Sequence, residues 1–130
     1  MTIASAPQHS DLATGRWLTL PLLEQLANTG SEVERALNWA EKGNADYCGR
    51  ALDRALELLG LTIGDPKNRS RLKELTRVRE VLLDYFVGVN EYGSSPAAWH
   101  SYFGAYGMAV ALQRQARPAS HIEARGSQCT

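Results

Sequence analysis

Cysteine, histidine and lysine are scarce in this chain of 130 residues, at two, three and three. Cys48 stands in a helical stretch and Cys129 near the C-terminal end. Two such distant thiols make no disulfide framework and suit a reducing compartment. His9 and His121 fall in the end segments, and His100 has no second histidine or cysteine at ligand spacing. A metal centre is therefore not expected, and no residue pattern implies a cofactor. Nowhere do eighteen apolar residues run together, which leaves no membrane span. The N-terminus lacks the basic stretch and continuous apolar run of a secretory signal. The chain reads as a soluble, cytoplasmic protein with no membrane partner. Neither sign of charge is in excess, with 14 basic and 14 acidic residues. That balance argues against a protein that coats DNA and leaves local patches open.

Alternation of apolar and polar residues over strand lengths is also missing, whereas helical periodicity is plentiful. Leu23, Leu26, Gly30, Val33, Leu37 and Ala40 recur at spacings of three and four after Thr19, a good cap, and Pro21. Gly30 and Ala40 would let a partner helix come close, and Gly43 supplies a left-handed stop. Asn44 caps the next segment. Tyr47, Ala51, Ala55, Leu58 and Leu59 form one flank of its buried face, with Cys48 and Leu52 on the other. Gly60, Gly64 and Asp65-Pro66 end it. A third segment runs from near Ser70 to Val87 with Leu72, Leu75, Val78, Leu82 and Tyr85 on one face. Ser95 and Pro96 open a fourth, whose inner face is aromatic and which keeps Gly104 and Gly107. Short links make successive helices antiparallel. The expected fold is all-α, an up-down-up-down antiparallel four-helix bundle over residues 16–115. Residues 1–15 and 116–130, poor in large apolar side chains, read as mobile, disordered tails.

Chemistry-bearing residues are few. Lys67, Arg69, Arg71, Lys73, Arg77 and Arg79 crowd the start of the third segment, opposed by Glu74 and Glu80. Arg69, Lys73 and Arg77 are four apart and share a face, with Arg71 beside them. Such a face can bind the phosphates of a nucleic acid, weakly and with strong salt dependence, or engage a protein partner. The plainer reading is a solvated face paired to Glu24, Glu34 or Glu57 of neighbouring helices or of a second subunit, and it carries more weight. Arg79 falls on the flank of the buried stripe, where a charge needs a partner such as Glu32, Glu34 or Asp84. Trp39, Tyr85, Phe86, Trp99, Tyr102, Phe103 and Tyr106 read first as core. Trp99, Tyr102, Phe103 and Tyr106 could alternatively form the seam of a homo-oligomer. Trp17 and Tyr92 are expected to dock as lids.

Several short runs carry a resemblance: Glu24–Asn28, Gly30–Val33, Trp39 with Glu41–Asn44, Arg54–Leu59, Arg71–Leu75, Arg77–Glu80 and Asp84–Phe86. In these the chain resembles a group of small, uncharacterised prokaryotic helical proteins, a likeness that implies the bundle and no reaction. More loosely, Trp39 to Leu59 resembles the helix hairpin of HEPN-type domains, four-helix dimers that include RNA-cleaving toxins. The ribonuclease motif of those domains is an arginine followed a few residues later by a histidine. Here Arg79 is followed by Asp84, and a carboxylate donates no proton near neutral pH unless its pKa is strongly raised. The HEPN likeness thus implies a non-catalytic relative. The leading expectation is a non-enzymatic interaction protein, homo-oligomeric, recognising a protein or nucleic acid. The alternative is RNA cleavage using Arg77, Arg79, Asp84 and Tyr85.

Overall fold

The computed structural model describes residues 11–116, and these form helices joined by short turns and loops, with no strand among them. Helix α1 spans Asp11–Leu18, α2 Leu22–Glu41 and α3 Ala45–Ile63. A 3-10 turn follows over Pro66–Arg71, then α4 over Leu72–Phe86 and α5 over Pro96–Gln115. Helix α1 thus begins at Asp11, inside the segment read as an N-terminal tail. Residues 1–10 and 117–130 lie outside the described residues.

Local signals account for most ends. Asn44 accepts from the Tyr47 amide at 3.0 Å and Ser95 from the Ala98 amide at 3.1 Å, so both caps satisfy a free donor of the first turn. Gly43 adopts φ +76°, which lets three residues reverse the chain between α2 and α3. Thr19 does something else. Its hydroxyl donates to the Arg16 carbonyl at 2.6 Å, closing α1, and Pro21 occupies the cap position of α2. Helix α3 passes through Gly60, because Thr62 and Ile63 are anchored in the core and beside it.

Helix α2 is the hub. It packs along both α3 and α5, while α4 leans on α3 and the 3-10 turn. Leu26, Val33 and Leu37 of α2 meet Ala55 and Leu59 of α3, Leu75, Val78 and Leu82 of α4, and Trp99 and Phe103 of α5 in one core. A satellite of Ala36, Ala51 and Leu52 extends it toward the α2–α3 turn. Leu23 is half-buried, and Ala40, Tyr47 and Leu72 are exposed, so the expected buried stripes are narrower than their apolar residues suggested.

Gly30 marks the closest approach. A Cβ built there would lie 2.6 Å from Phe103 Cβ, so α2 and α5 touch backbone to side-chain root. Gly104 and Gly107, in contrast, have nothing within 4 Å of such a Cβ. Gly30→Ala should therefore destabilise by about 1–3 kcal/mol, the overpacking cost exceeding the ~1 kcal/mol gain in helix propensity. Gly104→Ala should stabilise by up to ~1 kcal/mol. Urea unfolding of the two variants checks this, and equal gains at both positions would refute the close contact.

Candidate functional site

Arg35, Asn38, Trp39 and Lys42 follow one another at steps of three, one and three, a single face of the last two turns of α2. Tyr47, Arg50 and Arg54 repeat at three and four on the first turns of α3. The tight turn brings the two faces together, and they line one open cleft of about 510 Å³. That volume is within the 300–1,000 Å³ of small-molecule sites.

Two rings form the cleft's aromatic part. Trp39 and Tyr47 meet edge to face, with centroids 4.8 Å apart and planes at 81°. Lys42 Nζ stands 5.1 Å from the Trp39 centroid, and the Arg50 guanidinium 5.1 Å from that of Tyr47. Four cations converge on few carboxylates. Arg35 and Arg54 both donate to Glu32, at 3.2 and 3.3 Å, and Arg50 donates to Asp46 at 3.2 Å. Lys42 has the Trp39 ring beneath it and no carboxylate partner among the described residues. Positive charge is thus concentrated over aromatic surface.

Sequence reasoning did not assemble this site. Trp39 was expected in the core and is only half-buried; Tyr47 was expected on a buried flank and is 43 % exposed. The available signal was the helical spacing of four cations around the two rings, on either side of a two-residue Gly43-Asn44 stop. It is visible only if both helix faces are read together.

Of the anticipated basic residues, Arg69, Lys73 and Arg77 stay at the surface and Arg71 does not. Arg69 and Lys73 are exposed. Arg77 stands 5.5 Å from the Tyr92 centroid and 3.8 Å from Glu80. Arg71 turns inward: Nε donates to Glu74 at 2.8 Å and Nη2 to the Tyr106 hydroxyl at 3.0 Å. Tyr102 and Tyr106 also donate to Glu74, at 2.7 and 3.3 Å, tying α5 to α4. Burial would raise the Glu74 pKa, but the bonds from Tyr102 and Arg71 outweigh it and hold the carboxylate below its ordinary value. Burial, then the bond to Glu74, push the Tyr102 phenol well above its ordinary range.

Arg79 is exposed, not on the flank of the core. The Asp84 carboxylate accepts from the amides of Glu91 at 2.8 Å and Tyr92 at 3.0 Å, shaping the loop before α5. Asn90, at φ +57°, completes that loop. Tyr85 packs edge to face on Phe86 at 4.9 Å and on Trp99 at 6.5 Å. Trp99 and Phe103 are buried inside the single chain, and Tyr102 and Tyr106 are half-buried. Trp17 docks as expected: its indole N–H donates to Thr62 Oγ1 at 3.1 Å. His100 is exposed and contacts Glu34 across α2 and α5. Tyr92 is exposed. Among the described residues, no group of three His, Cys, Asp or Glu side chains could hold a metal. No described helix is long and apolar enough to cross a membrane.

No family model, no curated protein and no solved structure matches the chain.

Proposed function

We propose that this chain is a non-enzymatic helical binding protein that recognises an anionic partner through the cleft at the α2–α3 turn. One observation carries the reading: four cations and two aromatic rings line one cleft, and among the described residues their ion-pair partners are two carboxylates, Glu32 and Asp46. Helices α2 to α5 are read as an up-down-up-down four-helix bundle, with α1 closing one end. A homo-oligomer would have the outer face of α5 available, where Gly104, Met108 and Leu112 are exposed. The basic face of Arg69, Lys73 and Arg77 serves as a second, weaker contact for a nucleic-acid or protein partner. Nothing favours RNA cleavage by Arg79 and Asp84, since the Asp84 carboxylate is engaged by two loop amides.

Inorganic polyphosphate is the probe that tests this reading, because it offers charge alone. At low salt it should bind, and binding should fall steeply as salt is added. Arg50→Glu with Arg54→Glu should abolish it, while the triple change Arg69→Glu, Lys73→Glu, Arg77→Glu should leave most of it. The opposite pattern would move recognition to α4, and no binding to the unaltered protein would overturn the proposal.

A further inference from the structure

The cleft's rings ask for more than an anion. We infer that its ligand is a nucleotide unit, a phosphate carried beside a nucleobase, an inference that rests on the cleft being the binding surface.

Arg35 and Arg54 share the single carboxylate of Glu32, so neither guanidinium has its positive charge fully offset. Arg35 reaches Glu32 through Nη1 and Arg54 through Nε, so each has further N–H donors, and a guanidinium presents five donors in a planar fork suited to phosphate. A phosphate monoester or diester meets that requirement with several acceptor oxygens.

The aromatic part then selects what the phosphate is attached to. Lys42 lies over the Trp39 ring with no carboxylate partner among the described residues, on a four-carbon stem that can swing aside. A nucleobase taking its place exchanges a cation–π contact for base–indole stacking and frees the ammonium to meet the phosphate. Tyr47, held edge-on to Trp39, walls the slot. The Asn38 side-chain amide, exposed on the same helix face, offers one donor and one acceptor to a base edge. A positively charged groove with stacking rings is how proteins hold unpaired nucleotides without strong sequence preference. A plain anion would leave the rings unused, and an uncharged aromatic would leave the guanidinium forks unused.

The protein contains its own reporter. Trp17 and Trp99 are 8 % and 6 % exposed, leaving Trp39 as the accessible tryptophan among three. Titration of the full chain with adenosine monophosphate should quench the Trp39 emission. Adenosine alone and inorganic phosphate alone should each bind at least about tenfold more weakly, since each loses one half of the recognition. Calorimetry on Trp39→Ala and on Arg54→Ala should show affinity for the mononucleotide reduced about tenfold or more, with Trp39→Phe retaining most of it. Circular dichroism on the same variants confirms that they fold. A single-stranded hexanucleotide binding more than tenfold tighter than the monomer would identify a nucleic-acid strand as the source. Equal affinity per site would identify a free nucleotide, and either result supports the inference. Polyphosphate binding as described above, with adenosine monophosphate no better than inorganic phosphate, would overturn the nucleotide assignment and leave the anion reading standing. Failure of both probes would remove both.

Discussion

Phe103→Ala should cost about 3–5 kcal/mol, the range for emptying a buried phenylalanine site. The ring is 4 % exposed. It stacks on Trp99 with centroids 6.0 Å apart and meets Tyr102 edge-on at 4.9 Å. Its root rests on Gly30, so the hole left by truncation faces a residue with no side chain to fill it. Helix α5 cannot move closer to close the gap, because the Cβ that remains in the alanine variant already sets its distance from α2. For a domain of this size the melting temperature should fall by roughly 12–40 °C. A fall under about 5 °C would show that α5 is not seated on α2 as described. The result also bears on the α5 seam: dissociation of an oligomer without loss of helicity would place Phe103 at a subunit boundary instead.

Asp65→Ala is expected to cost about 2–4 kcal/mol, because it breaks a buried polar network rather than a surface ion pair. Gln25 Nε2 donates to Asp65 Oδ2 at 3.0 Å and to the Trp17 carbonyl at 3.1 Å. Asn68 Nδ2 donates to Gln25 Oε1 and to the Thr62 carbonyl, both at 2.9 Å. The Lys67 amide donates to Asp65 Oδ1 at 3.1 Å, and its ammonium pairs with the same carboxylate. Removing the carboxylate leaves the part-buried Lys67 amide without its acceptor and the fully buried Gln25 with one bond fewer. Lys67→Ala should cost clearly less, since its partly exposed ammonium is already solvated.

Acid should reveal the same residue. Burial alone would raise the Asp65 pKa, but the hydrogen bonds from Lys67 and Gln25 outweigh it and keep it below the ordinary value. A depressed folded pKa means the unfolded chain takes up the proton first, at about 3.9. The stabilisation is complete above that pH and is lost as pH falls through the folded value. The stability gap between the unaltered protein and Asp65→Ala should therefore shrink from pH 6 toward pH 3, measured by urea unfolding at each pH. A gap that widens toward acid would refute the assignment.

Helix ends were the most legible part of this sequence. Asn44, Ser95-Pro96 and Gly43 work through bonds or dihedrals within a few residues, and tertiary context does not reverse such effects. Helix α1 was not legible, because its eight residues carry too short an apolar face to announce themselves. It is held by Trp17 and by the Gln25 side chain, contacts spanning 45 and 8 positions in the chain. Gln25, Asp65 and Asn68 read as ordinary polar residues for the same reason: only folding brings α2, α3 and the 3-10 turn to one point. The basic run of α4 looked like a site because its charges are adjacent in sequence. Arg71 was then drawn into Glu74 and Tyr106, partners supplied by its own turn and by α5.

By itself, then, the sequence determined that this chain is helical, where most of its long helices begin and end, and which apolar residues are available to a core. Those properties follow from bonds and periodicities spanning less than two turns. The tertiary structure decided which charges are offset and which are left over. Arg71 and Asp65 found partners across the fold, while Arg35 and Arg54 were brought to share Glu32 beside Trp39 and Tyr47. Charge balance at a site depends on distances between helices, and helix packing sets those distances through contacts such as Gly30 against Phe103.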